Sequence, residues 1–108
     1  MAYKTIDKEI IKIVQTFIVE AKKHFNIDYA ILFGSFAKGK QHQDSDIDVA
    51  IISNDVSNTF DDSVKLMKVC RHIDLRIEPH AIRTIDYKNN ASALINEIIK
   101  TGVQLYAA

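Results

Sequence analysis

Two short motifs in this 108-residue sequence carry residue types that can handle phosphate and metal: Gly34-Ser35 and, after ten intervening residues, Asp46-Ile47-Asp48. Glycine lets the backbone adopt positive φ or approach a ligand closely, and a serine with the free N–H groups of the turn that follows can hold phosphate oxygens. Asp46 and Asp48, at i and i+2, share one face of a strand. Side by side they repel each other unless a cation intervenes, and such hard oxygen donors suit Mg²⁺ carried with a nucleotide's phosphates. Asp74 lies in another alternating segment and, on a neighbouring strand about 4.8 Å away, would complete a three-acid cluster. Three carboxylates can hold two ions about 3.5 to 4 Å apart. Glu78 shares the expected face of Asp74 and is the alternative third acid, but it lies about 6.6 Å further along the strand, so Asp74 is preferred. Arg76, between the two acids, either neutralises them or contacts phosphate.

Positioning these groups requires a sheet with helices on it. Ile6, Ile10, Ile13, Val14, Phe17, Ile18, Ala21 and Phe25 recur at spacings of three and four, the stripe of an amphipathic helix. Tyr29 to Phe33 is an apolar run stopped by Gly34, the pattern of a buried first strand. Phe36-Ala37-Lys38 suggests one helical turn, and residues 39–45 read as a polar loop. The second strand is expected over Asp46 to Ser53, with Ile47, Val49 and Ile51 opposite Asp46, Asp48 and Ala50. A helix over Phe60 to Cys70 follows, then a third strand over His72 to Glu78 that ends before Pro79. Leu94, Ile95, Ile98 and Ile99 mark a last helix capped by Gly102, with a short strand over Val103 to Tyr106. The expected fold class is therefore α/β in the broad sense (α+β), a small mixed sheet of about four strands in one domain over 1–108.

Composition removes several function classes. Fourteen Lys and Arg balance 14 Asp and Glu, which leaves no basic face for strong nucleic-acid binding. The single cysteine, Cys70, sits among apolar residues and reads as core. No apolar run reaches the roughly 18 to 20 residues of a membrane span, and the polar start lacks a signal core, so the cytoplasm is the expected compartment. His24, His42, His72 and His80 match no standard ligand spacing and read as incidental. Tyr3, Tyr29, Tyr87 and Tyr106 read as core or interface residues.

The run Phe33-Gly34-Ser35-Phe36-Ala37-Lys38-Gly39, with Ser45-Asp46-Ile47-Asp48 after it, resembles the signature of the DNA polymerase β-like nucleotidyltransferase superfamily. The chain's small size is similar to its minimal nucleotidyltransferases, the MNT proteins. The resemblance implies transfer of a nucleoside monophosphate from an NTP, ATP by family habit, with release of pyrophosphate. It implies Asp46, Asp48 and Asp74 as catalytic metal ligands for Mg²⁺, two ions in number with Mn²⁺ as the alternative, and Gly34 and Ser35 as the nucleotide-binding turn. Members often have Arg where this chain has Lys38, a point charge in place of a planar fork. The resemblance also implies a partner: an all-helical HEPN-type toxin whose hydroxyl accepts AMP from the MNT antitoxin. A homo-oligomer, a noncatalytic binding module, and an enzyme that modifies a small molecule such as an aminoglycoside are the other readings.

Overall fold

A computed structural model describes residues 6–39 and 45–108. Its elements are α1 (Lys8–Ala21), β1 (Ile27–Phe33), α2 (Ser35–Lys38), β2 (Ile47–Ser53), α3 (Thr59–Cys70), β3 (Ile77–Arg83), α4 (Thr84–Lys88), α5 (Ala93–Thr101) and β4 (Val103–Ala107). The strands form one mixed sheet in the order β3-β2-β1-β4, with β1 antiparallel to both β2 and β4, and β2 parallel to β3. The expected sheet of about four strands with helices packed on it is present. Helix starts follow side-chain caps: Asp7 accepts from the Glu9 N–H at 2.8 Å, Asn58 from Asp61 at 2.9 Å, and Ser92 from Ile95 at 3.1 Å.

Period-two alternation divides the core between the two faces of the sheet. Ala30, Leu32, Ile47, Val49 and Ile51 join Val14, Phe17 and Ile18 of α1 and Leu66 and Cys70 of α3 on one face. On the other, Ile31, Phe33, Ala50, Ile52 and Ile82 pack with Ile95 and Ile98 of α5. Cys70 is free and buried, as its apolar surroundings suggested. Gly102 closes α5 with an extended backbone, φ −73° and ψ 156°, and not with a left-handed cap. Its missing side chain serves packing instead, since a Cβ there would overlap Ile31 and the Ile98 carbonyl.

The third strand differs from the sequence expectation. Residues 71–76 form the connection out of α3, and β3 begins at Ile77 and continues through Pro79. An edge strand tolerates proline where the missing N–H would have pointed away from the sheet. That outer edge is blunted along its length: the Ile77 N–H donates to the Asp74 carbonyl at 3.2 Å, Pro79 has no N–H, and the Ala81 N–H donates to Ser63 Oγ of α3 at 2.9 Å. Strand addition at this edge is thereby discouraged. Helix α4, only five residues long, had no separate sequence signal.

Candidate active site

The corner of the sheet where β1 ends and β2 and β3 begin gathers the chemistry-bearing residues. Gly34 follows β1 with φ 77° and ψ −151°, a conformation reserved in practice for glycine. A Cβ at Gly34 would overlap Asp48 Oδ2 and lie 3.2 Å from Asp48 Cγ, so the Asp48 carboxylate rests directly against the glycine backbone. The register explains this proximity, because Phe33 pairs with Asp48 across β1 and β2. Ser35 opens the four-residue α2 and is exposed. Lys38, in the last turn of α2, reaches away to Glu97 of α5 at 2.8 Å. Both partners are exposed, so the pair contributes little to stability.

Asp46 is exposed just before β2, and Asp48 is half-buried one position into it. The residue opposite Asp48 on β3 is Glu78. Its carboxyl is raised above the usual range by burial, with the charge of Asp48 adding to the shift, while His80 opposes it and Asp46 adds both charge and a side-chain hydrogen bond. Because Glu78 as a whole is exposed, the neighbouring carboxylates are the cause most specific to this arrangement. His80, two residues on and therefore on the same face, brings Nε2 to 3.3 Å from Asp48 Oδ1. Its ring leans on Phe33, centroid to centroid 5.1 Å. Asp48, Glu78 and His80 each offer a ligand atom, all within 4.8 Å of one another.

Asp74 is not in that group. It lies before β3 and accepts from Arg76 through the backbone N–H, Nε and Nη2, at 2.9, 3.1 and 2.9 Å. The expected pairing of Asp74 beside Asp48 is corrected by the start of β3, which puts Glu78 at the register position instead. Arg76 is occupied with Asp74, not shared between two acids. His80 was read from sequence as incidental and belongs to the cluster; its i+2 spacing from Glu78 was the available signal. His42 lies outside the described residues.

The side-chain hydrogen bond from Arg76 holds the Asp74 carboxyl below its ordinary range. A depressed carboxylate stabilises the fold above its unfolded pKa, and that contribution is lost as pH falls through the folded value. Asp74→Asn should therefore cost about 1 kcal/mol at pH 7, the upper end for a partly exposed pair, and the difference from wild type should shrink in acid. Urea unfolding at pH 7 and pH 3 measures both; an equal deficit at the two pH values would refute the ion-pair account.

An open groove of about 610 Å³ adjoins the cluster. Asp46, Glu78 and His80 form one side, and Phe60, Val64 and Met67 of α3 line another. Among the described residues, no helix is long and apolar enough to cross a membrane.

Residues 9–108 match the family described as Polymerase beta, Nucleotidyltransferase. A Methanocaldococcus jannaschii chain, MJ0141, provisionally named a protein adenylyltransferase, is 28% identical over 99 residues, which cover 90% of this chain and 99% of that one. A crystal structure of a provisionally named nucleotidyltransferase from Sulfolobus solfataricus superposes with a TM-score of 0.67 at 20% identity, covering 98% of this chain and 86% of the other. A toxin-antitoxin crystal structure with AMP-PNP superposes with a TM-score of 0.59 at 20% identity, over 91% of this chain and 73% of that chain.

Proposed function

The chain belongs to the polymerase β nucleotidyltransferase family, and from that premise we propose that it transfers AMP from ATP to a hydroxyl on a partner protein in a divalent-metal-dependent reaction. The observation that carries this reading is the meeting of Gly34 and Asp48 at one end of β1, with Glu78 in register beside Asp48 and Asp46 close enough to act on the charge of Glu78. The donor set fits a divalent ion: Asp48 and Glu78 bring carboxylate oxygens within 4.8 Å of each other, and Glu78 is reluctant to ionise while its neighbours' charge is uncompensated. Asp46, Asp48 and Glu78 are the proposed ligands, with Glu78 in the place first assigned to Asp74. Mg²⁺ is the family expectation, with two ions and Mn²⁺ as the alternative. When bound, the metal supplies charge neutralisation for the triphosphate and the departing pyrophosphate.

The chain's own groups divide the remaining work. Gly34 leaves room for phosphate to approach the backbone, and the Ser35 hydroxyl and the first N–H groups of α2 receive its oxygens. Glu78, the carboxylate that lines the groove beside Asp48, takes the acceptor's proton as the acceptor's oxygen bonds to the α-phosphorus. The bond from the α-phosphorus to the bridging oxygen breaks in line, and pyrophosphate leaves with the electron pair. The acceptor approaches from the groove side, where Glu78 and His80 are reachable.

ATP as donor is supported by the adenylyltransferase name of the relative and by the AMP-PNP in the toxin-antitoxin structure of shared fold. The same structure supports an antitoxin role toward a toxin partner, proposed here as HEPN-type from the motif resemblance. Intact-mass spectrometry of such a partner, incubated with this chain, ATP and Mg²⁺, should show whole-AMP increments. No increment on the partner, or an increment on an aminoglycoside instead, would overturn the assignment of acceptor.

A further inference from the structure

We propose that His80 is itself a metal ligand through Nε2, and that this nitrogen donor shifts the site's preference from Mg²⁺ toward first-row transition dications. The inference rests on the metal-dependent reading above and adds a residue and a selectivity to it. Glu78 and His80 project from the same face of β3, and Asp48 stands opposite Glu78 on β2. The residue opposite His80 is Ala50, whose single methyl leaves the imidazole free to lean diagonally toward Asp48. Phe33 braces the ring from β1, with centroids 5.1 Å apart and planes inclined by 59°.

The spacing suits shared coordination. With metal–ligand bonds of about 2.1 Å in octahedral geometry, neighbouring donors sit about 3 Å apart and opposite ones about 4.2 Å apart. The Nε2 to Oδ1 distance is 3.3 Å, and all three donor atoms fall within 4.8 Å of one another. Among the described residues, two acids face His80, Asp48 at hydrogen-bond range and Glu78 two residues away, so the ring lies on the side where a cation is drawn. Imidazole nitrogen is a good donor to first-row transition ions, whereas Mg²⁺ favours oxygen and retains its water. A cluster of carboxylates alone would discriminate less, since oxygen donors suit Mg²⁺ and Mn²⁺ alike.

Mn²⁺ is the probe, loaded with inorganic tripolyphosphate, which contains no nitrogen of its own. Pulsed electron paramagnetic resonance of the wild type should show the ¹⁴N modulation of a directly bound histidine. His80→Gln should lose that modulation. His80→Glu, which restores an oxygen donor, should bind Mn²⁺ without it, and the ratio of Mn²⁺ to Mg²⁺ affinity measured by calorimetry should fall roughly tenfold. Mn²⁺ binding without ¹⁴N modulation in the wild type, or modulation that persists in His80→Gln, would overturn the role of His80 and leave the carboxylate site intact. Absence of any Mn²⁺ binding would overturn both this inference and the metal-dependent reading beneath it.

Discussion

Replacing Glu78 by Gln is expected to reduce nucleotidyl transfer by about two to four orders of magnitude, the range for loss of a positioned proton acceptor, while making the metal-free protein more stable. The two effects have one cause. Glu78 stands in register with Asp48, and its carboxyl is raised by burial and then by the acidic neighbours Asp48 and Asp46. An acid whose folded pKa exceeds its unfolded value favours folding while protonated. Its contribution is fully present below the unfolded pKa and is lost as pH rises through the folded one. The metal-free wild type should therefore lose stability as pH climbs above the ordinary Glu range, and Glu78→Gln should flatten that decline. Thermal melts across pH, beside single-turnover transfer at saturating ATP and Mg²⁺, measure both halves. Asp74→Asn is the control, since Asp74 is bound to Arg76 and should leave transfer within a few-fold of wild type. If Asp74→Asn abolished transfer and Glu78→Gln did not, the assignment of the third acid would be reversed.

Gly34→Ala should be nearly as damaging, through geometry alone. At φ 77° and ψ −151° a side chain adds strain of about 1 to 3 kcal/mol, and the new Cβ would collide with Asp48 Oδ2. The collision cannot be relieved without moving either the carboxylate or the phosphate-binding turn. A displacement of about 1 Å at reacting groups is enough for a hundredfold loss of rate, so a transfer defect of at least about that size is expected beyond any fall in melting temperature. Gly39 provides the comparison: it is left-handed at φ 71° and ψ 21°, a region asparagine tolerates, and it is exposed. Gly39→Asn should melt close to wild type. Transfer by Gly34→Ala within a few-fold of wild type would mean that the contact between Gly34 and Asp48 has no catalytic consequence.

The parts of the fold that were legible in the sequence are those where one physical signal was uncontested. The three- and four-residue spacing from Ile10 to Ala21 had a single helical interpretation, and α1 follows it. The apolar run into Gly34 and the alternation after Asp46 fixed β1 and β2 within two residues. The third strand failed because residues 72–78 alternate as a strand would, while Pro79 looked like a stop. Alternation alone does not distinguish a strand from a turn in which Leu75 is 84% exposed, and proline ends a strand only where its N–H would have joined the ladder. The later start of β3 puts Glu78, and not Asp74, at the register position beside Asp48. Which acid faces Asp48 depends on register between β2 and β3, a property of pairing that neither segment carries by itself. His80 was missed for the same reason: its meaning comes from Asp48, 32 residues away in sequence.

The central claim, that the carboxylate corner is a metal-dependent nucleotide site, is tested most directly by calorimetric binding of ATP with and without Mg²⁺, comparing wild type with the double variant Asp46→Asn and Asp48→Asn. Binding that requires Mg²⁺ in the wild type and collapses in the folded double variant is the predicted result. Equal binding with and without the metal, equal binding by the variant, or no binding by the wild type under either condition would contradict it.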